Sequence, residues 1–179
     1  MDLEYIRDKS KEMPIIESPE DVISIRVWHC KYHSLREIGK CINLRVLVIA
    51  TLPESDFQFL SACKKLKYLS ILHMPKIQNL EGLSHLLELE TLSLRSLPSW
   101  DAAGKVTIVS SLVPLAKLPD LKHVELFGVV EQGKSPLVLE KCNKLRSARF
   151  SKYDKKYVEQ FYASTGVENC FAPEPEYVA

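Results

Sequence analysis

Hydrophobic residues recur along this chain in one spacing, apolar-x-x-apolar-x-apolar-x-x-apolar, where x is any residue. Six segments follow this spacing, and all of their apolar positions carry a hydrophobic residue. The segments start at Val22, Leu44, Leu66, Leu89, Leu121 and Leu145. Successive starts are separated by 22, 22, 23, 32 and 24 residues. The alternation inside each segment predicts a short strand with one face in a core, and the recurrence predicts a repeat protein.

The stretch that precedes each strand has a different spacing. Before Leu66, for example, apolar residues lie three apart, at Phe57, Leu60 and Cys63. A spacing of three predicts a 3₁₀ or loosely wound helical segment with one side against a core. One such unit cannot bury its own apolar ladder, so the units must stack. The stacked strands form a parallel sheet on the concave face, and the helical segments supply the crossovers on the convex face.

This pattern resembles the leucine-rich-repeat family over roughly residues 20–153. The stretch KIQNLEGLSHLLELETLSL, from Lys76 to Leu94, is most similar to the 22-residue repeats of the SDS22-like and internalin-like group. The resemblance implies an α/β fold, a leucine-rich-repeat solenoid shaped as a short curved horseshoe. The family usually has Asn at the ninth position of the strand motif. This chain instead has Cys30, Leu52, Met74, Leu97, Val129 and Tyr153 there.

We expect a single domain over residues 1–179. Residues 1–21 are predicted to cap the first repeat, with an apolar clip at Met13-Pro14-Ile15-Ile16. Residues 22–153 hold about six repeats. Residues 154–179 are predicted to form a capping helix, which begins after Asp154 and stops at Gly166, followed by a tail.

The fourth connection is about ten residues longer than the others, which places an insertion near residues 98–110. An enlarged convex helix that starts near Ser99 or Asp101 would account for the extra length, and the alternative is a local bulge. Trp100 is predicted to pack on neighbouring residues.

Charge and composition exclude several classes of function. With 24 basic and 23 acidic residues, the net charge is +1, which argues against nucleic-acid binding. No apolar stretch reaches the roughly 18 residues of a membrane span, and the N-terminus lacks the features of a signal peptide. Five cysteines without a disulfide-like rhythm favour a reducing compartment. We therefore expect a cytoplasmic protein.

No motif in the sequence indicates catalysis, a cofactor or a metal. Gly-rich phosphate loops, Gly-x-Ser-x-Gly and His-Glu-x-x-His are all missing. His29, Cys30 and His33 lie close together, but a zinc site needs a second ligand cluster. Cys41, Cys63 and Cys142 occupy a position that carries Leu in other repeats, so we expect them in the core. We do not expect an enzyme.

The concave face is the remaining candidate site, because the third, fifth and seventh positions of the strand motif point away from the core. The seventh positions are Trp28, Ala50, Leu72, Arg95, Phe127 and Ser151. Large apolar residues beside arginines are typical of binding hot spots. The predicted partner-binding residues are Arg26, Trp28, Val48, Tyr68, Leu72, Arg95, His123, Glu125, Phe127 and Arg149. The competing interpretation is that a terminal segment folds across this face and buries it.

Three functions fit these observations. The first is a protein-interaction module that binds a protein or peptide partner, acidic in character, as a regulatory, targeting or neutralising subunit. The second is a structural protein that self-associates through its concave face or through an exposed edge strand. We expect a monomer or weak homodimer. The third is an enzyme or ligand-binding protein with a site at the Trp100 insertion, near Asp101 and Lys105.

Overall fold

The structure is a computed structural model, and it describes residues 1–175. Its strands are short and lie side by side in a single solenoid. They are β1 (Asp2–Ile6), β2 (Ser24–Trp28), β3 (Val46–Ala50), β4 (Tyr68–Leu72), β5 (Thr91–Arg95), β6 (Thr107–Val109), β7 (His123–Phe127), β8 (Val129–Glu131), β9 (Ser147–Phe150) and β10 (Glu168–Asn169). Within residues 1–175, eight strands form one parallel sheet in the order β1-β2-β3-β4-β5-β7-β9-β10, and β6 pairs with β8 separately.

Apolar ladder positions fill the space between the sheet and the convex side. In β3, for example, Leu47 and Ile49 are fully buried, and Leu69 and Ile71 of β4 lie directly beside them. The strands therefore follow the spacing read from the sequence, and each buries one face against the return segments of its own and adjacent repeats.

The convex side consists of short helical returns, as the three-residue spacing predicts. Four of them are 3₁₀ helices, at Arg36–Lys40, Gln58–Leu60, Glu81–His85 and Leu137–Lys141. The return before β7 is instead a short α-helix, Val113–Ala116. A further 3₁₀ turn, Pro19–Asp21, precedes β2.

The N-terminal segment contains a strand that the sequence pattern did not predict. Strand β1 pairs in parallel with β2, and its Leu3 and Tyr5 pack against the core. In the apolar clip, Met13 and Ile16 are buried, whereas Ile15 is 77% exposed. β1 therefore forms the first edge of the main sheet.

The C-terminal end carries a helix, Lys155–Thr165, that packs over the last repeat. The Asp154 side chain accepts a hydrogen bond from the Lys156 N–H at 3.0 Å, and Gly166 ends the helix with a left-handed φ of 67°. The buried ring of Phe161 meets Phe150 edge-on, with the ring centroids 5.3 Å apart. The chain then pairs β10 with β9.

The insertion contains the helix expected near Ser99, but this helix does not enlarge the convex return, which is the short helix Val113–Ala116. The extra residues leave the sheet at the carboxyl end of β5 and form a five-residue helix, α1 (Pro98–Ala102), followed by β6. Trp100 packs edge-on against the ring of His73, with centroids 4.7 Å apart. Since Pro at the first helical position favours helix initiation, α1 begins immediately after β5, before the chain reaches the convex side.

We expect Gly82→Ala to destabilise the fold by about 1–3 kcal/mol. A Cβ at Gly82 would lie 2.8 Å from the Cβ and 3.0 Å from the carbonyl carbon of Phe57 in the preceding return. These atoms are fixed by the backbone, so the two returns would have to separate. Urea unfolding followed by circular dichroism measures the effect.

Gly133→Ala is the matched control. The nearest atoms to its added Cβ belong to the end of the Glu131 side chain, at 3.0 Å, and that end can rotate away. Its free energy of unfolding should change by less than about 0.5 kcal/mol. Equal losses in the two variants would contradict close packing between the returns.

We also expect His73 to make the fold less stable in acid. Burial lowers the pKa of His73 below its ordinary value of 6.5, and its Nδ1 has no hydrogen-bond partner among residues 1–175. Because the folded pKa is lowered, the unfolded chain binds a proton first. This contribution is fully present above about pH 6.5 and is lost as the pH falls.

The variant His73→Asn tests this contribution, because Asn tolerates the left-handed φ of 69° at this position. The free energy of unfolding should fall less between about pH 7.5 and about pH 5 in this variant than in the wild type. The exposed His85, changed to Asn, serves as the control and should keep the wild-type pH dependence. An unchanged pH dependence in His73→Asn would refute the assignment.

Candidate functional site

The concave face consists of three rows of side chains, because every strand pairs in register with the next. The first row contains Ser24, Val46, Tyr68, Thr91, His123 and Ser147. The central row contains Arg26, Val48, Ser70, Ser93, Glu125 and Arg149. The end row contains Trp28, Ala50, Leu72, Arg95 and Phe127. All ten residues that the sequence predicted for the site lie in these rows.

Only the large side chains of the concave face reach solvent. Trp28, Tyr68, Leu72 and Phe127 are half-buried. Val48 is 8% exposed and Glu125 only 3%, contrary to the expectation that these positions face solvent. Neighbouring strands in a sheet lie about 4.8 Å apart, so long side chains cover shorter ones beside them.

The segment after β10 lies across the concave face; residues 170–175 are called the tail. The Phe171 ring stacks on the Arg149 guanidinium, with 3.6 Å between the guanidinium carbon and the ring centroid. The Ala172 N–H donates to Glu125 Oε2 at 3.2 Å, and the Tyr68 hydroxyl donates to the Pro173 carbonyl at 3.1 Å. These partners sit on β9, β7 and β4, so the tail crosses the strands.

The competing interpretation of the sequence was that a terminal segment folds across this face. Residues 171–175 lie across it in this way. The tail covers the middle of the face rather than all of it. The remainder of the predicted tail, residues 176–179, lies outside the described residues.

Arg149 is held between two aromatic rings. Its guanidinium carbon lies 4.9 Å from the centroid of Phe127 and 3.6 Å from that of Phe171. Each cation–π contact of this kind contributes about 0.5–2 kcal/mol, with the larger values where water is excluded. Phe127 belongs to the sheet and Phe171 to the tail, so Arg149 joins the two.

The carboxylate of Glu125 is a buried negative charge on the concave face. Its Oε1 lies 3.8 Å from Arg95 Nε, and its Oε2 accepts the Ala172 N–H. A buried carboxylate needs such partners, because removing its water is costly. Arg95 and the tail together compensate its charge.

Arg26 and His123 of the concave face also have partners. Arg26 stacks over Trp28, with 4.8 Å to the ring centroid, and its Nη1 lies 3.5 Å from Glu4 Oε1. His123 Nδ1 is 2.8 Å from Ser147 Oγ. Burial is the main factor that lowers the pKa of His123, and the positive charge of Arg146 lowers it further. His123 is therefore neutral at pH 7 and acts as a hydrogen-bonding group.

Cavities remain open beside the tail, and two of them lie against the concave face. One, of about 490 Å³, is lined mainly by Trp28, Leu72, Phe127, Phe171 and the α1 residues Pro98 and Ala102. The other, of about 510 Å³, is lined by polar groups that include Arg26, Tyr68, Ser70 and Glu125. The first has the more apolar lining of the two.

The sequence pattern did not predict that α1 contributes to the concave face. Pro98, Asp101 and Ala102 form a wall of the apolar cavity, so the Trp100 insertion and the concave face are one region. A signal was present, because the extra residues follow Arg95, the end-row residue of β5. An insertion at that point leaves the sheet on its concave rim.

The three cysteines of the core are not accessible nucleophiles. Burial raises the pKa of Cys41 to about 11, that of Cys63 to about 12 and that of Cys142 to about 11. These thiols remain protonated and act as small apolar side chains. Among residues 1–175, no cluster of His, Cys, Asp and Glu side chains could hold a metal ion.

Within the described part of the chain, no helix has the length and apolar character needed to cross a membrane.

No known family model matches the sequence, and no curated protein matches it either. Solved structures do match. An internalin (InlF) from Listeria monocytogenes superposes with a TM-score of 0.66 at 16% identity, over 90% of this chain and 45% of the internalin. Internalin C2 from the same organism gives a TM-score of 0.42 at 16% identity, over 75% of this chain and 65% of that chain.

This chain thus spans less than half of the length of the internalin InlF. The likeness concerns the backbone, since the identity is 16%. The parallel strands, the 3₁₀ returns and this superposition together confirm the expected α/β architecture. The chain is a leucine-rich-repeat solenoid with the fold of the internalins.

Proposed function

We propose that this protein is a protein-interaction module that holds a partner on its concave face and catalyses no reaction. The observation that carries the proposal is the apolar cavity of about 490 Å³ between Trp28, Leu72, Phe127 and α1. These large side chains are half-buried without serving the core. Leaving apolar side chains partly in water is unfavourable, and a partner that covers them removes this cost.

The arrangement of charge favours an acidic partner. Arg149 and Arg95 line the apolar cavity, where Arg95 lies 3.8 Å from the buried Glu125 and Asp101 is also present. The rim at the start of the strands carries Arg45 and Lys67 beside Glu90. Aromatic residues and arginines are the residue types that dominate binding energy at interfaces. Acidic groups of a partner would meet these cations at the edge of the apolar contact, where they favour one partner over another.

The size of the face sets the size of the partner. Adjacent strands lie about 4.8 Å apart, so the six strands β2–β9 of the sheet span about 25 Å. This width suits an interface of about 800 Å² on this protein, which one helix, loop or peptide can fill. A regulatory, targeting or neutralising subunit could act through such a contact.

A reducing compartment, the cytoplasm, is part of the proposal. All five cysteines are unpaired in the structure. Exported proteins of this size commonly pair their cysteines, whereas cytoplasmic proteins keep them reduced.

The triple variant Trp28→Ala/Leu72→Ala/Phe127→Ala should lose the partner. Removal of the apolar side chains around the cavity is expected to weaken binding by at least about tenfold, since interface hot spots contribute about 2 kcal/mol or more each. The partner would be captured from native lysate, identified by mass spectrometry, purified and titrated against both proteins. Circular dichroism verifies that the variant is folded.

The matched control replaces three apolar residues that are exposed elsewhere, in Ile42→Ala/Leu87→Ala/Ile108→Ala. Their side chains are 51%, 55% and 59% exposed and lie outside the concave face. This control should bind as the wild type does. Equal binding by the Trp28 variant would refute the concave-face site, and a dimer by light scattering with no partner would favour self-association.

A further inference from the structure

We infer that the tail occupies the place of a partner's peptide, so that the concave face accepts an extended acidic segment that carries an aromatic residue. This inference rests on the proposed function, because it names the kind of partner that the same face would bind. It also assigns a role to the tail, which becomes an intramolecular competitor of that partner.

The contacts of the tail are those that any extended peptide can make. Its backbone supplies one N–H, at Ala172, to Glu125 and one carbonyl, at Pro173, to Tyr68. One ring, that of Phe171, stacks on Arg149. A partner segment with an aromatic residue at the place of Phe171 would reproduce all three contacts.

The charge of the tail matches its surroundings. Glu174 lies in a cavity of about 320 Å³ whose lining holds two cations, Arg45 and Lys67, and one further carboxylate, Glu90, which lies 3.6 Å from Lys67 Nζ. In the sequence a second carboxylate, Glu176, follows Pro175. Acidic residues downstream of the aromatic anchor would therefore be directed to the basic rim.

The tail is a displaceable occupant. Phe171 is 67% exposed even while it stacks on Arg149, and Pro173 and Glu174 are exposed as well. The ring leaves the neighbouring apolar cavity open. A partner side chain that enters this cavity would bury Leu72 and Phe127 more completely than Phe171 does.

The tail makes few contacts, but its covalent attachment to β10 compensates for this. Phe171 follows the end of β10 by two residues, so the tail stays near the face. Short tethers give effective concentrations of about millimolar, which allows a weak contact to compete with a free ligand. Free ligand then binds with an apparent affinity reduced by the fraction of molecules whose face is open.

The test uses the full chain and a fluorescent peptide with the sequence of residues 171–179, FAPEPEYVA. In Phe171→Ala the chain's own tail loses its anchor, and the peptide should bind at least about tenfold more tightly than to the wild type. Fluorescence anisotropy measures both affinities. Since Phe171 is exposed, the variant should fold normally, and circular dichroism verifies this.

Three controls give the result its meaning. Ile15→Ala removes another exposed apolar side chain, 77% exposed and outside the concave face, and should bind the peptide as weakly as the wild type. A peptide with Ala in place of its Phe, and one with Gln in place of both Glu residues, should each bind Phe171→Ala more weakly. Equal binding to wild type and Phe171→Ala, or binding to neither, would overturn the inference.

The two proposals fail separately. If the partner requires Trp28, Leu72 and Phe127 but the peptide does not respond to Phe171→Ala, the concave face is a binding site without a built-in competitor. If the peptide binds Phe171→Ala as expected but the partner ignores the triple variant, the tail docks on this face and the partner binds elsewhere.

Discussion

In-register parallel pairing of the strands is the constraint on which both the core and the concave face depend. Each strand begins one repeat after its neighbour, so equivalent positions align across the sheet from β1 to β9. Alternate residues then fall on opposite faces without exception. A shift of one residue would place the leucine ladder on the solvent side and the site residues in the core.

A residue with a left-handed backbone follows six strands of the main sheet. Positive φ angles of 52–71° occur at Arg7, His29, Thr51, His73, Gly128 and Lys152. The N–H of Thr51 donates to Leu72 at 2.7 Å and that of His73 to Arg95 at 2.7 Å, so the ladder continues through the turn. Each non-glycine residue in this conformation carries strain of about 1 kcal/mol or more, and the stacked ladder compensates for it. Ser96, from which the chain proceeds into α1, is not among the residues with a positive φ.

The concave face combines buried charge with half-buried apolar groups, and the tail is part of both. Glu125 needs compensation for its burial, and Arg95 and the Ala172 N–H supply it. Arg149 stacks on one ring from the sheet and one from the tail. Displacement of the tail would therefore expose a carboxylate acceptor and one face of a guanidinium together, which are groups that a new peptide can take over.

The repeat was determined by the sequence alone, because its apolar positions recur at a nearly fixed period and each helical return has its own three-residue spacing. The ends of the last helix at Asp154 and Gly166 follow from local capping residues. The tertiary structure alone decided three other features. β1 packs only two apolar residues, Leu3 and Tyr5, against the core and forms against β2. α1 lies on the concave rim since Trp100 packs on His73, and the tail lies across β4–β9. The contact between Tyr68 and Pro173 joins residues 105 positions apart, and no local periodicity records such a pairing. The spacing of apolar residues determines the repeat, whereas the surface that the stacked repeats present depends on contacts between distant segments.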